Sequence, residues 1–583
     1  MLEKLRMQLA SAEALLPLAL LGMVLGVLVA ALIVLFRFTI EYLQMGLLPG
    51  GQPENYEALS LVMRVALPTL GGLLIGLLLQ YLFSDARQVG VVHVMERLTY
   101  HQGRLPWKNA IAQFVGAALS VASGHSVGRE GPGIHLGATS GSQLGRWLRL
   151  PNNSIQTLTA CGVAAAIAAS FNTPIAGVIF AMEVVMMEYA LRSFTPLIAA
   201  SVSATAFTRL VYGPEPAFTV PPLQMGSVLE LPYVLLAGIA IGVLAVGFIT
   251  LLRRFAALLP KAPLWSRTTL AGLITGLCAL AVPAVMGIGY DTVSAAMLGK
   301  LGLGLMAGIV LFKLVATAAA IGLGLPGGLI GPTLVIGAAA GGAMGLVAGL
   351  WFPEHVSSHG FYAMLGMGAM MGATLQAPLA ALMAMLELTA NPNILLPGML
   401  AVITAGMTAS ELFNKESVFV TMLRARGLDY RNDPVAQSLR ALGIAAVMNR
   451  QVVSAARSMC HSDAAALLTD VPQWIVVSDE DEPRALLPAS DLGRYLQDAE
   501  AQAAVESTDT EAAEIDLLGI PARRRDLSPI GLQANLQEAL DVLDRSRTEA
   551  LFVTRDGTAA SKPIYGVLTR QDIESHYRYQ GPQ

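Results

Sequence analysis

The chain has 583 residues, enough for three or four ordinary domains, yet 54% of it is hydrophobic and only 13% charged. That is about half the charged share of a soluble globular chain. With a mean hydropathy of +0.59, the composition excludes an ordinary soluble enzyme and points to a membrane protein. The charge is unevenly placed: from Arg431 onward there are 15 Lys/Arg and 23 Asp/Glu, against 22 and 18 in everything before it. An apolar body therefore precedes a soluble, acidic tail. No Lys/Arg stripe is present to neutralise phosphates, so a nucleic acid is not an expected partner. Cys161, Cys278 and Cys460 stand far apart, without CxxC spacing or clustered histidines. They encode neither a disulfide framework nor a zinc site and read as packing residues.

In chain order, the first apolar run, Ala14 to Phe36, is long enough to span a bilayer as a helix and is followed by Arg37 rather than a cleavage-like site. It reads as a retained transmembrane helix, with Lys4 and Arg6 favouring a cytoplasmic N-terminus. Further blocks follow at Val65 to Phe83, Asn109 to Ser123, Leu158 to Ser170, Pro174 to Met187, Phe194 to Val211 and Tyr233 to Leu252. After these come Thr268 to Met286, Leu303 to Ile321, Ile330 to Phe352, Tyr362 to Leu375, Pro378 to Leu388 and Ile394 to Glu411. Several are too short to cross a ~30 Å hydrocarbon core alone. Short, Gly/Pro-interrupted segments are the mark of discontinuous membrane helices.

The segments recur in two halves. Gly128-Arg-Glu-Gly131-Pro132 with Gly137, Ala138 and Gly141 is matched without a gap by Gly328-Leu-Ile-Gly331-Pro332 with Gly337, Ala338 and Gly341. Further on, Pro174-Ile-Ala176 with Glu183 matches Pro378-Leu-Ala380 with Glu387, the spacing from Pro to Glu being the same in both. Two ordered blocks at a nearly constant offset predict two structural repeats, inverted relative to each other, with a site at their interface.

Within the first block, glycines permit tight backbone and proline is tolerated in the first helical turn, so Gly128 to Pro132 predicts a helix start inside the membrane. Free N–H groups and the positive end of the helix dipole at such a start bind an anion without a buried cation. Glu130 would then stand at the mouth of an anion site. A carboxylate near mid-membrane costs roughly 2.5 to 3.5 kcal/mol on insertion scales, which makes a functional role the default. The plainer alternative is a helix-end charge at the water interface, pairing locally with Arg129. The matching start, Leu325-Pro-Gly-Gly-Leu329-Ile330-Gly331-Pro332, has no ionisable residue. Two convergent helix N-termini with one titratable carboxylate describe an anion pathway with a gate.

These motifs, with the run Ala160-Cys-Gly-Val-Ala-Ala-Ala-Ile-Ala-Ala-Ser-Phe-Asn-Thr-Pro-Ile-Ala-Gly177, resemble those of the CLC chloride channels and chloride/proton antiporters that end in a pair of CBS domains. The resemblance covers essentially the whole length. It implies an all-α polytopic membrane domain over about residues 10–427 and an α/β cytoplasmic CBS-like regulatory domain over 428–583. It makes Glu130 the gating glutamate, occupying an anion position when charged and swinging away when protonated. It places the anion against Gly128, Arg129, Glu130, Gly131 and the main-chain N–H groups of Leu329 and Ile330. It implies a homodimer in the bacterial inner membrane with both termini cytoplasmic, one pore per subunit, voltage- and pH-dependent flux, and no enzymatic reaction or required cofactor.

Four positions depart from the family pattern. Where the first filter segment usually reads Gly-Ser-Gly-Ile-Pro, this chain has Gln88-Val89-Gly90-Val91-Val92, so serine and proline are both missing. The pore tyrosine of the last membrane helix aligns with Phe419. An anion beside Val89, Gly90 and Phe419 would be held by backbone amides alone, each lost hydrogen bond to a charge being worth roughly 1.5 to 3 kcal/mol. The fourth departure is Val184, where proton-coupled members carry an internal glutamate; its neighbour Glu183, mirrored by Glu387, reads as structural. An apolar residue cannot relay a proton. The expectation is passive or weakly coupled chloride transport gated by Glu130. The alternatives are a coupled chloride/proton antiporter with a non-standard internal proton donor, and an anion-sensing membrane protein with little flux.

Other residues carry plainer readings. His93 and His125 flank the proposed pathway and could titrate near neutral pH, but ordinary helix-end hydrogen bonding explains them better. Methionines in Met182 to Met187 and Met364 to Met371 read as core filler. Ser126 lacks the His and Asp partners of a hydrolase triad. In the tail, Asn535 to Arg545 predicts a helix, Ala550 to Thr554 and Ile564 to Leu568 strands, and Arg570 to Tyr577 a helix. A fainter earlier copy has strands at Trp474 to Ser478 and Ala485 to Pro488 and a helix at Asp491 to Leu496. The half-units, about 440–497 and 523–580, are joined by a linker or loose helix over about 498–522. Gly566-Val-Leu-Thr569-Arg-Gln-Asp572 is similar to the CBS strand-to-helix motif that sets Thr and Asp against a nucleotide ribose. Thr569, Asp572 and, in the first copy, Asp491 are therefore candidates for holding an adenine nucleotide. A dimer-stabilising module without nucleotide is the favoured reading.

Overall fold

Apolar runs rich in Leu, Ala, Val and Gly become helices here because a bilayer leaves no other way to satisfy backbone N–H and C=O groups. In the computed structural model the described residues are 15–189, 191–214, 220–221, 223–351, 357–428, 439–440, 442–480, 482–506, 514–555, 557–558 and 563–578. Lys4 and Arg6, and with them the predicted N-terminal orientation, lie outside these. The chain divides into two compact units: residues 15–147 with 155–428, and residues 148–154 with the C-terminal region.

The first unit is helical. Its first half comprises α1 (Leu15–Leu47), α2 (Leu61–Leu77), α3 (Val91–Tyr100), α4 (Trp107–Ala122), α5 (Glu130–Trp147), α6 (Asn152–Phe171), α7 (Pro174–Phe180) and α8 (Leu191–Tyr212). The second half repeats the order with α9 (Leu231–Leu258), α10 (Leu264–Ala281), α11 (Tyr290–Met297), α12 (Leu303–Gly322), α13 (Ile330–Trp351), α14 (His359–Leu375), α15 (Pro378–Thr389) and α16 (Leu395–Met407). A last helix, α17 (Val418–Ala425), follows. Among the described residues nine helical spans are long and apolar enough to cross a membrane, and α1 shows Leu16, Leu20, Val24 and Leu28 on its outer surface. This is a multi-pass integral membrane domain.

Every predicted apolar block overlaps a helix, though Thr268 to Met286 runs past the end of α10 at Ala281, and the block ends Ala14 and Phe352 lie outside the described residues. Three helices lie outside these blocks: α17, which carries Phe419, and the two that enter through loops, α3 and α11. Both α3 and α11 are short, and each is entered through a glycine with positive φ, Gly90 (φ 84°) and Gly289 (φ 86°). His93, Glu96 and Arg97 interrupt the apolar pattern of α3, and Asp291 that of α11, which hides them from a hydropathy reading.

The two halves are related by reciprocal contacts. Gly72 of α2 packs on the carbonyl of Thr268 in α10, while Gly272 of α10 packs on the carbonyl of Pro68 in α2. Gly128 and Gly328 form an antiparallel bridge. Contacts in which residue i meets j′ and i′ meets j are what a two-fold relation generates, and small residues at the crossings let the helices approach closely.

In the second unit, β1 (Val452–Ala456), β3 (Trp474–Asp479) and β4 (Glu482–Pro488) are followed by β6 (Arg525–Gly531), β7 (Ala550–Thr554) and β8 (Gly566–Thr569), forming one sheet in the order β1-β3-β4-β6-β7-β8; β2 (Ser458–Cys460) and β5 (Glu514–Asp516) form a separate pair. Each half runs parallel pair, then antiparallel pair: β1 with β3 and β3 with β4, β6 with β7 and β7 with β8. Helices α18 (His461–Leu467), α19 (Ala489–Glu506), α20 (Leu536–Ser546) and α21 (Arg570–Arg578) complete two equivalent α/β half-units. Each half has its own core, Ile475, Val477, Leu487, Leu492 and Leu496 in one and Leu536, Ala539, Leu551, Val553 and Leu568 in the other.

The predicted strands and helices of the tail are present. Strands β1 and β6 were not predicted, and β6 contains Pro529, which argues against an interior strand. Its pairing with β4 involves only Arg525 and Asp526, so Pro529 lies beyond it and its missing N–H is not needed there. Residues 498–506, expected as a linker or loose helix, continue α19, and β5 falls within the same expected segment; residues 507–513 lie outside the described ones.

Candidate anion pathway

Glu130 opens α5 and Ile330 opens α13, equivalent positions in the two repeats. The two starts are sewn side by side: Gly128 N–H donates to the Gly328 carbonyl at 2.6 Å and Gly328 N–H to the Gly128 carbonyl at 2.7 Å. Pro132 and Pro332 sit in the first turns, where a missing N–H costs nothing. Two helix N-termini, each with the positive end of its dipole, thus meet inside the membrane domain.

The Glu130 side chain lies at that meeting point and is 1% exposed. Its Oε1 accepts a hydrogen bond from the Tyr290 hydroxyl and lies 3.9 Å from Arg129 Nε. Its Oε2 is buried and takes no hydrogen bond from the described residues. A Cβ on Gly128 would come within 2.6 Å of Oε2, and one on Gly331 within 3.1 Å. The carboxylate therefore fills a space that the glycines of both repeats leave open.

Two cavities flank it. One, of about 450 Å³, is lined by Val89, Gly90, Gly131, Leu329, Ile330 and Phe419. The other, of about 820 Å³, is lined by Arg129 and Tyr290 among others. Glu130 lines neither, while its chain neighbours Arg129 and Gly131 line one each. Among the described residues the smaller cavity carries Arg87, Arg267 and Arg426 and no carboxylate, a field that concentrates anions. Its described lining also holds no Ser, Thr or Tyr. The larger mixes Arg37 and Arg209 with Glu41, Glu54 and Asp291.

Of the residues named from sequence, Val89, Gly90, Gly131, Leu329, Ile330 and Phe419 thus meet at one cavity, Arg129 faces the other, and Gly128 makes the bridge. Val184 is 4% exposed. Beside it, Glu183 is fully engaged, accepting from the N–H groups of Leu379 at 3.2 Å and Ala380 at 2.7 Å. His125 closes the end of α4 on the Ser120 carbonyl at 3.2 Å. His93 does more: its Nδ1 lies 2.9 Å from His135 Nε2, and Arg97 Nε donates to its Nε2 at 3.1 Å. Ser126 pairs with Thr317 of the other repeat at 2.9 Å. In the second unit Thr569 and Asp572 bond each other, backbone N–H and hydroxyl of Thr569 both reaching Asp572 Oδ2. Asp491 accepts from the Arg523 N–H at 3.1 Å.

Three residues of the site were missed from sequence. Tyr290 is one. Lys313, the lone charge in α12, is fully buried and donates to the carbonyls of Val285 at 3.1 Å and Gly287 at 3.2 Å, in the loop that leads to Tyr290. Gln113, which holds the equivalent place in α4, lines the smaller cavity with both polar atoms of its amide buried and unpartnered among the described residues. A single ionisable residue inside an apolar helix is a readable signal, and the repeat alignment would have led from Lys313 to Gln113.

The family model for voltage gated chloride channels matches residues 71–410. The chain is 34% identical over 382 residues to a chloride channel protein of Ralstonia nicotianae described as ClcB-like, covering 64% of this chain and 89% of that one. It is 32% identical over 412 residues to the voltage-gated ClC-type chloride channel ClcB of Escherichia coli, covering 69% and 97%. Among solved structures it shares its fold with a slow cyanobacterial Cl-/H+ antiporter (TM-score 0.61, 24% identity, 71% of this chain and 99% of that one). A eukaryotic CLC transporter matches over 96% of this chain and 99% of its own, with TM-score 0.60 and 20% identity. This chain belongs to the CLC family of voltage-gated chloride channels.

Proposed function

We propose that this protein moves chloride or a similar small anion across the membrane through the pathway at Glu130, which gates it. The observation that carries the reading is the buried carboxylate seated where two helix starts meet, with a cavity on either side. Its Oε2 takes no hydrogen bond from the described residues. When charged, the group competes for the place an anion would take; when protonated, it loses the attraction of the helix dipoles and leaves. The transport is passive or weakly proton-coupled, and voltage- and pH-dependent. Val184 is apolar and the oxygens of Glu183 are taken up by backbone, so neither offers an internal proton relay.

Chloride efflux from proteoliposomes tests the gate: Glu130→Gln removes the pH dependence of flux, and an unchanged pH profile places the gate elsewhere. Proton movement against an imposed chloride gradient tests the coupling, and stoichiometric uphill pumping overturns the passive reading. One observation favours coupled antiport as the second reading. The buried His93–His135 pair, one partner in α3 and the other on the helix that begins with Glu130, offers a non-standard internal proton donor. Chloride-loaded vesicles that release nothing would instead support an anion sensor with little flux.

The duplicated α/β unit at the C-terminus is, in this reading, a pair of CBS-type modules facing the cytoplasm in a homodimer. The two equivalent half-units, each a parallel and then an antiparallel strand pair with its own core, support the assignment. Thr569 and Asp572 spend their polar groups on one another as a helix cap, which favours a dimer-stabilising module over an adenine nucleotide site. Calorimetric titration of the intact protein with ATP, ADP and AMP tests this.

A further inference from the structure

Tyr290 is held on several sides before it touches the gate. Lys313 grips the carbonyls of Val285 and Gly287 from behind. The Gly287 N–H reaches the Gly124 carbonyl at 3.3 Å. Gly289, at φ 86°, turns the chain into α11 with no side chain to meet the Lys313 ammonium. The ring of Tyr290 is 5% exposed, 5.5 Å from the Arg129 guanidinium and 6.2 Å from the ring of Phe171. Its hydroxyl ends on Glu130 Oε1.

We propose that Tyr290 is a latch on the Glu130 gate: its hydroxyl holds the charged carboxylate in the pathway and, once the protonated carboxylate has left, serves as a ligand to the transported anion. The inference rests on the reading of Glu130 as the gate. A phenol bonds a charged acceptor about twice as strongly as a neutral one, so it favours the seated, ionised gate over the protonated one. A halide in the vacated place offers the same hydroxyl the same charge. Among the described residues the smaller cavity has no side-chain hydroxyl in its lining, and Tyr290 supplies one from the opposite side of the gate.

Among the described residues the charged group nearest the carboxylate is Arg129. Arg37 and Glu41 from α1, Glu54 from the following loop, Arg209 from α8, Asp291 from α11 and Glu387 from α15 line the larger cavity, with Lys313 of α12 behind the Tyr290 loop. Helix α13 brings no ionisable residue. These charges are the same with and without the phenol oxygen, so replacing Tyr290 by Phe isolates the hydroxyl.

The test is chloride efflux from proteoliposomes over a pH series for the wild type, Tyr290→Phe, Glu130→Gln and the double variant. Loss of a bond that favours the ionised gate lets protons open it more readily, so the activation midpoint of Tyr290→Phe moves to higher pH by about one to two units. Glu130→Gln is flat with pH, and adding Tyr290→Phe to it leaves the profile flat while raising the chloride concentration for half-maximal flux about tenfold. A wild-type midpoint in Tyr290→Phe, with Glu130→Gln flat, overturns the latch and leaves the gate standing. A pH-dependent Glu130→Gln overturns the gate and the latch with it. An unchanged chloride dependence in the double variant removes the role as anion ligand. Tyr290→Leu, read in the same way, serves if the Phe variant does not assemble.

Discussion

Glu183 and Glu387 cap each other's repeats. Glu183, just beyond α7, accepts the N–H groups of Leu379 and Ala380 at the start of α15. Glu387, within α15, accepts those of Ile175 and Ala176 at the start of α7, at 2.9 and 2.8 Å. Each proline-initiated helix thus has its first free N–H groups neutralised by a carboxylate from the opposite half. The equal Pro-to-Glu spacing in the two halves is the sequence trace of this exchange.

Either carboxylate should therefore matter for stability rather than for proton traffic. Glu183→Gln keeps one acceptor but replaces the other by a donor facing an N–H, and should cost about 1.5 to 3 kcal/mol. Glu387→Gln should cost the same by symmetry. Thermal unfolding of the detergent-solubilised protein should show both losses, with the pH profile of flux unmoved. A changed proton coupling at undiminished stability would assign Glu183 to a relay instead.

Gly128 sets the room for the gate. An added Cβ there would lie 2.6 Å from Glu130 Oε2 and 3.1 Å from the Gly331 nitrogen and Pro332 Cδ, so the carboxylate is the part that can yield. Gly128→Ala should unseat it, raising chloride efflux at high pH toward the level of Glu130→Gln. Gly331→Ala, with its nearest contact to Oε2 at 3.1 Å, should act in the same direction but less strongly. Retention of a wild-type pH profile in Gly128→Ala would mean that the carboxylate has another seat.

What the sequence made legible is the part encoded by backbone chemistry. Gly128 to Pro132 and Gly328 to Pro332 announce helix starts because only glycine and proline suit those places, and their repetition announces the two-fold relation. Tyr290 was invisible for the opposite reason: it reaches Glu130 from 160 positions away, through a loop whose only marks are two glycines. Lys313 was legible in principle, as a lone charge in an apolar helix, but its partners are main-chain carbonyls that leave no sequence signature. In the second unit β6 was hidden by Pro529, whose tolerance depends on where the pairing with β4 stops.

The missing hydroxyls predict weak discrimination at the smaller cavity. Phe419, 3% exposed, lines it together with Val89. Phe419→Tyr or Val89→Ser offers an anion one additional hydrogen bond to a charge, which should lower the chloride concentration for half-maximal flux by about tenfold or more. Gln113→Leu, which removes the unpartnered amide facing the same cavity, should raise it. Chloride-saturation curves, with nitrate as competitor, measure both; unaltered curves would place the binding step away from this cavity.

Val184→Glu puts the coupling question to the protein directly. The site is buried, so the new carboxylate enters neutral unless water or a cation reaches it. If the absent internal carboxylate is all that prevents proton exchange with Glu130, this variant should move protons uphill against a chloride gradient where the wild type does not. If the wild type already does so, the relay is elsewhere, and His135→Phe should abolish proton movement while leaving passive chloride flux. The tautomers support a direction for such a relay. Arg97 donates to His93 Nε2, which leaves the proton on His93 Nδ1 facing His135 Nε2. The remaining His135 proton then sits on Nδ1, buried without a partner among the described residues, five residues along α5 from Glu130. Loss of both proton and chloride movement in His135→Phe would show instead that the pair is structural.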